Sequence, residues 1–172
     1  ALSAGESHTD VAAFDIHAAC SGYLYALQIA FDAVQVRPDS RILVVTTEEM
    51  SRVVDPRDFD TAILFGDAAS ATIVGAHAQG DGHSGFRMRR PVLFARPDET
   101  GALAVPNPGS GFVSMRGREV FSEAIRSMIQ SLNTACQEAN MELNGLTHVV
   151  PHQANGRILE AMSTRLGVLG SR

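Results

Sequence analysis

The chain has no run of basic residues, no long apolar run and very little cysteine, and each absence removes a class of function. Lys and Arg number 14 against 19 Asp and Glu, for a net charge of −5, so no cationic surface is available to track a nucleic-acid backbone. No window approaches the roughly 18 consecutive apolar residues of a membrane-spanning helix, and no charged-then-apolar secretory segment opens the sequence. The two cysteines, Cys20 and Cys136, lie far apart and make no disulfide framework. They point to a reducing, cytoplasmic setting. The sequence starts at Ala1 without a methionine and stops at Arg172 just past an apparent helix, so a fragment of a longer protein is expected.

What is present reads as α/β. Hydrophobic residues make up 45% of the chain and charged ones 19%, with 15 glycines, enough apolar material for a buried core. Residues 11–16 and 41–47 are short runs of β-branched and small apolar residues, predicting strands, the second a buried parallel one. Between them Tyr23, Leu27, Ala30, Phe31 and Val34 recur at helical spacing, and Arg37-Pro38-Asp39 ends that helix. Gly66-Asp67 predicts a tight turn. Residues 77–85, rich in glycine, histidine and polar groups, read as a connection between two halves. Partial alternation predicts a strand within 85–94, residues 95–111 read as irregular, and 112–115 as a short strand. The longest helical stripe starts at Glu119 and carries Phe121, Ile125, Met128, Leu132 and Cys136, the cysteine on the core side. Residues 146–150 predict a strand that Pro151 ends. Asn155 then caps a last helix carrying Ile158, Leu159, Met162 and Leu166, closed by Gly167.

Two junctions share one design, a strand handing over to a helix through a chemically capable residue. At the first stands Cys20. A helix N-terminus offers unpaired N–H groups and partial positive charge, a setting that favours thiolate and hence a nucleophile. The same residue type is also among those most often buried as inert core, and the junction alone is compatible with both readings. At the second stands His152, at the end of a strand, where functional groups gather in open α/β sheets. An imidazole there can act as a base or donate a hydrogen bond to a developing oxyanion. His148 and His152 are four apart, but Pro151 and the strand reading speak against a metal site, and no metal is expected.

The wording around these residues narrows the choice. DIHAACSGYLYAL, ILFGDAASATIV, MRGREVF and VPHQANGRI occur in that order. Together they resemble the β-ketoacyl-acyl-carrier-protein synthase III family of thiolase-like condensing enzymes over nearly the whole chain. The resemblance implies a layered thiolase-like α/β fold, present in part. Residues 1–80 would be the end of its first half and 81–172 the start of its second. It implies that Cys20 accepts an acyl group from acyl-CoA. His152 would then assist decarboxylation of malonyl on its carrier protein by stabilising the enolate, and the carbanion would attack the acyl-cysteine. The Cys20 backbone N–H would donate to the oxyanion.

Carried over by motif, Gly117, Phe121, Ala154 and Asn155 would line the pantetheine tunnel, and Phe65 and Met115 the acyl pocket. Arg157 would face the acidic carrier protein. Turn geometry is an alternative account of Gly117, core packing of Phe65 and Phe121, and simple solvation of Arg157. The resemblance implies no bound cofactor, a homodimer, and a role in fatty-acid or polyketide initiation. Two departures stand out. The family's third member of the site, an asparagine in a Gly-Asn-Thr motif, is absent from these 172 residues. Phe59 stands where many relatives carry an arginine that contacts the CoA adenine, which makes a specialised or carrier-bound primer an alternative to acetyl-CoA. Two other functions remain open: acyl transfer without condensation, and a non-catalytic subunit that pairs with a partner or binds a carrier.

Overall fold

The structure, a computed structural model, describes residues 11–76, 85–97, 100–105 and 111–167. The domain boundary expected near residue 80, and the linker histidines His77 and His83, lie outside these.

The first unit is one helix on one hairpin. Helix α1 (Gly22–Val36) places Ala30 and Val34, four residues apart, on its buried face. It stops where the sequence predicts. Pro38 disfavours helical geometry at the residue before it, and Arg37 has left the helix at φ −130° and ψ 85°. Strands β1 (Arg41–Glu48) and β2 (Ala68–Gly75) pair antiparallel, in register from Arg41 opposite Gly75 to Glu48 opposite Ala68. The period-2 alternation sends Ile42, Val44 and Thr46 toward α1, with Val44 buried. Tyr23 Oη on α1 lies 3.0 Å from Thr72 Oγ1 on the same sheet face. The expected parallel strand is thus antiparallel among the described residues. Among those residues its ladder partner is β2, which returns after the long 49–67 loop instead of crossing over a helix. That loop holds a short helix, α2 (Phe59–Ala62), capped by Asp58, whose carboxylate accepts from the Asp60 N–H.

The second unit is a helix pair beside a small ladder. Strands β3 (Leu103–Ala104) and β4 (Ser114–Met115) pair antiparallel, placing one short strand inside the stretch expected to be irregular. Helices α3 (Gly117–Ala139) and α4 (Gly156–Leu166) bury Ile125, Ile158 and Met162 between them, with Phe121, Ala124, Met128 and Ala154 packed around. Asn140 ends α3 in the left-handed region (φ 51°), which asparagine tolerates better than most residues. Gly167 does the same for α4 (φ 67°), as the sequence predicts.

Among the described residues, two hydrogen-bonded ties join the units. Arg90 forms a two-pronged ion pair with Asp32 on α1, at 2.9 and 3.1 Å. The Val113 N–H donates to the Val53 carbonyl at 2.8 Å.

Three predicted strands, in residues 11–16, 85–94 and 146–150, belong to no ladder. Their composition suits a sheet, but a strand exists only through a partner, and no described residue offers one. Val150 is 82% exposed and Phe14 71%, so these apolar runs lie open to solvent.

Candidate active site

Cys20 occupies the middle of a 3-10 turn, Ala19–Ser21, that runs straight into α1. The turn closes through the Ser21 N–H to the Ala18 carbonyl at 3.1 Å. Ala19 adopts φ 45°, left-handed backbone that an alanine enters only at a cost. No side chain caps the start of α1. The strained turn lifts Cys20 to the surface, where it is exposed, whereas Cys136 is buried on the core side of α3 as its spacing predicts. The junction by itself is compatible with nucleophile or core, the motif resemblance implies the nucleophile, and in the structure Cys20 is exposed.

His152 is exposed in the segment between Pro151 and α4. Three residues on, Asn155 takes extended geometry (φ −160°), and its Oδ1 accepts from the Arg157 N–H at 2.9 Å. This is a helix cap read directly from the sequence. No side-chain hydrogen bond or ion pair joins His152 or Cys20 to another described residue. The two junctions are built, but no bond links them.

The other expected site residues separate into groups. Phe121 and Ala154 meet in the shell around Ile125 and Ile158, joining the MRGREVF and HQAN motifs in one packing unit. Gly117 opens α3, Asn155 caps α4, and Arg157 is exposed on its first turn. Phe65 lines a cavity of about 290 Å³ with Ser51, Val54, Pro56, Ala62, Gly66 and Asp67. Met115, half-buried at the end of β4, is not among the residues lining it. Phe59 stands exposed at the head of α2.

Sequence reading missed what holds the cavity wall. The Asp67 carboxylate accepts from the Ser51 N–H at 2.8 Å and from the Ser51 hydroxyl at 2.6 Å. Those bonds hold its carboxyl below the usual aspartate range. Asp55 is held low in the same way by the Arg57 side chain, through bonds of 2.9 and 3.0 Å. The signal for Asp67 was visible, since an acidic residue after Gly66 marks a turn, but its partner lies sixteen residues away and no spacing rule finds it. Among the described residues, no group of three or more His, Cys, Asp or Glu could hold a metal ion, and no helix is long and apolar enough to cross a membrane.

Comparison with known proteins bears on what this arrangement is. Residues 14–89, which hold the Cys20 turn, α1 and the hairpin, match the family model for 3-oxoacyl-[acyl-carrier-protein] synthase III. The β-ketoacyl-[acyl-carrier-protein] synthase III of Staphylococcus saprophyticus is 39% identical over 92% of this chain and 49% of its own length. That of Fusobacterium nucleatum is 35% identical over 89% of this chain and 49% of its own. Among solved structures, the synthase III of Thermus thermophilus superposes with a TM-score of 0.74 at 36% identity, covering 91% of this chain and 50% of the other. The priming β-ketosynthase of the R1128 polyketide pathway superposes at 0.70 with 34% identity, covering 91% and 48%. The fold is therefore the thiolase-like α/β fold, present in part, and the chain spans about half the length of the relatives it matches. In sequence and in backbone, over that half, the chain is similar to the 3-oxoacyl-[acyl-carrier-protein] synthase III family.

Proposed function

We propose that these residues carry the nucleophile and its histidine for a priming condensation. The Cys20 sulfur attacks the carbonyl of an acyl thioester, the donor thiol leaves with a proton, and an acyl-cysteine remains. A malonyl group on a carrier protein then loses carbon dioxide. His152 donates a hydrogen bond to the enolate oxygen so formed, which lowers the barrier more than a strong base would. The carbanion attacks the acyl-cysteine carbonyl. The Cys20 sulfur departs as the leaving group, and the product is a β-ketoacyl chain on the carrier. Nothing is oxidised or reduced, so no redox cofactor enters the balance.

The observation that carries this reading is the exposed Cys20 on its strained turn at the head of α1, inside the stretch that matches the family model. Support for the partners comes from the names of the relatives, which are synthases acting on acyl-carrier-protein substrates. On this reading acyl-CoA and an acyl carrier protein are the substrates, Arg157 meets the carrier, and Gly117, Phe121, Ala154 and Asn155 border the thioester arm. Phe65 and Met115 border the acyl end. The working assembly is a cytoplasmic homodimer in fatty-acid or polyketide initiation, with residues 1–80 and 81–172 from successive halves of the fold.

Incubation with a panel of acyl-CoAs and acyl carriers, followed by peptide mass spectrometry, tests the first step. Acyl mass on the Cys20 peptide, lost in Cys20→Ala, is expected. Equal labelling of Cys136 and Cys20 would overturn the assignment of a specially activated thiol.

A further inference from the structure

Helix α1 is held at its two ends by different means. Toward its tail it buries Ala30 and Val34, and Val44 is buried on the sheet face turned to it. Apolar burial of this kind has no direction of its own. Toward its head the same sheet face carries hydroxyls. Thr72 stands opposite Val44, and the next pair on that face, Thr46 opposite Ser70, is bonded hydroxyl to hydroxyl at 2.7 Å. The Tyr23 phenol lies 3.0 Å from the Thr72 hydroxyl, which ties the first turn of α1 to β2 by a bond with both a length and a direction. Tyr23 is 39% exposed, so water reaches it, and the bond to Thr72 fixes a position rather than rescuing a buried polar group.

The Cys20 turn needs such a fixture. Ala19 is left-handed, and α1 has no side-chain cap and no acidic residue in its first turn. The helix opens on Gly22, a poor helix former, and residues 11–18 ahead of the turn belong to no helix or strand. Tyr23 follows Cys20 by three residues, which places the two on one face, about 5 Å apart along the axis. The link 37–40 turns the chain back, so α1 runs against β1 and in the same direction as β2. Going back from Tyr23 to Cys20 therefore corresponds to going back from Thr72 to Ser70, about 7 Å along the strand. The Cys20 turn thus lies toward the hydroxyl end of the sheet face, one turn beyond the tie.

We propose that Tyr23, acting through Thr72, is a positioning residue for Cys20: the bond between the two hydroxyls holds the Cys20 turn in a fixed place against the sheet, so that the sulfur meets a thioester carbonyl in line. This rests on the reading of Cys20 as the acyl acceptor. The bonds made and broken in the transfer stay the same. What the tie supplies is orientation, and a misplacement of about 1 Å at a reacting atom is enough to cost much of the rate.

The test is a double-mutant cycle in the 172-residue chain, with Tyr23→Phe, Thr72→Val, both together, and Thr72→Ser as the rescue. One readout is hydrogen exchange at the Ser21 amide, whose bond to the Ala18 carbonyl closes the turn. It is set against the Arg37 amide, whose bond to the Ala33 carbonyl closes the other end of α1. The second readout is the maximal rate and half-saturating concentration of Cys20 acylation by the acyl-CoA that labels the wild type fastest. Tyr23→Phe and Thr72→Val should each raise Ser21 exchange about three- to tenfold, the worth of one such bond, with Arg37 exchange as in the wild type. The maximal acylation rate should fall by a similar factor at an unchanged half-saturating concentration. The double variant should do no worse than either single one, and Thr72→Ser should keep wild-type values in both readouts. Ser21 exchange unmoved by Tyr23→Phe overturns the proposal. So do additive losses, a rise at Arg37 equal to that at Ser21, a Thr72→Ser variant as impaired as Thr72→Val, or a maximal rate that Tyr23→Phe leaves untouched. A wild-type chain that no donor acylates, with Ser21 exchange responding as expected, would defeat the reading of Cys20 as nucleophile and leave the tie standing.

Discussion

The two junctions look alike in sequence and are built differently. At His152 the following helix announces its own start. Asn155 caps α4, Gly167 closes it, and Ile158 and Met162 lock it to α3. At Cys20 no side chain caps α1, and the turn depends on a left-handed alanine at position 19. One junction is specified by local residues, the other by backbone strain that its surroundings must hold. Strain of this kind is useful where a side chain has to be presented outward, and Cys20 is the exposed member of the two cysteines.

The largest expected effect falls on the self-specified junction. Ile125→Ala removes the most buried side chain between α3 and α4 and should cost about 2–5 kcal/mol, by lost transfer energy and the cavity left behind. Chemical denaturation measures it, and exchange of α4 amides should rise with it while α1 amides stay protected. Equal loss of protection in both helices would mean that the units fold as one block and would end the contrast.

Next in size is the strained turn. Ala19→Val places a β-branched residue at φ 45°, where the side chain meets the following carbonyl, and should destabilise by about 1–2 kcal/mol. Ala19→Gly should relieve the strain and fall within about 1 kcal/mol of wild type, since the gain is set against glycine's greater backbone entropy in the unfolded chain. The same substitutions should change the rate at which an alkylating reagent labels Cys20 but not Cys136. Equal tolerance of valine and glycine would mean that position 19 is not held left-handed in solution.

Caps come third. Asn155→Ala should cost about 1 kcal/mol and Asn155→Asp little, because the aspartate oxygen still accepts from the Arg157 N–H. Ser21→Ala, at the matching position before α1, should stay within about 0.5 kcal/mol, since its hydroxyl caps nothing there. A cost at Ser21 as large as at Asn155 would erase the difference between the junctions.

The same contrast explains what could be read before the structure. Helices α1, α3 and α4 were legible because their signals are local: periodic apolar residues, Pro38, Asn155 and Gly167. The strands were legible as composition and not as pairing. Residues 11–16 and 146–150 have the residues of strands, yet a ladder needs a neighbour, and hydrophobic periodicity is silent about which neighbour is present. The antiparallel return of β2 to β1 was hidden for the same reason, because the 49–67 loop gives no turn signal of a tight hairpin. Cys20 and His152 were legible as motif members. The left-handed Ala19 beside Cys20 was not, because a small residue in a small-residue run carries no mark of its backbone angle.

The smallest effect concerns the loop that lies between the two strands of the hairpin and touches neither junction. Asp67 ties its start to its end through Ser51, and Asp55 holds Arg57 within it. Both carboxyls are held below their ordinary value of 3.8, by bonds from the Ser51 and Arg57 side chains first. A carboxylate held low contributes stability that is present above its unfolded value and is lost as pH falls through the lowered folded value. Acidification below about pH 3.8 should therefore loosen the loop progressively, and the Ser51 amide should lose exchange protection beyond the general effect of acid on exchange. Asp67→Asn should remove most of that pH dependence, because the amide accepts without titrating. Asp67 is exposed and Asp55 half-buried, and solvent reaches both, so the gain is screened and the global melting temperature should move little. The Ala19 turn and the Asn155 cap hold no carboxylate, and their amides should keep their ratio to α1 and α4 across the same range. A Cys20 turn that opened together with the Ser51 amide would show that the strained junction leans on this loop for its support.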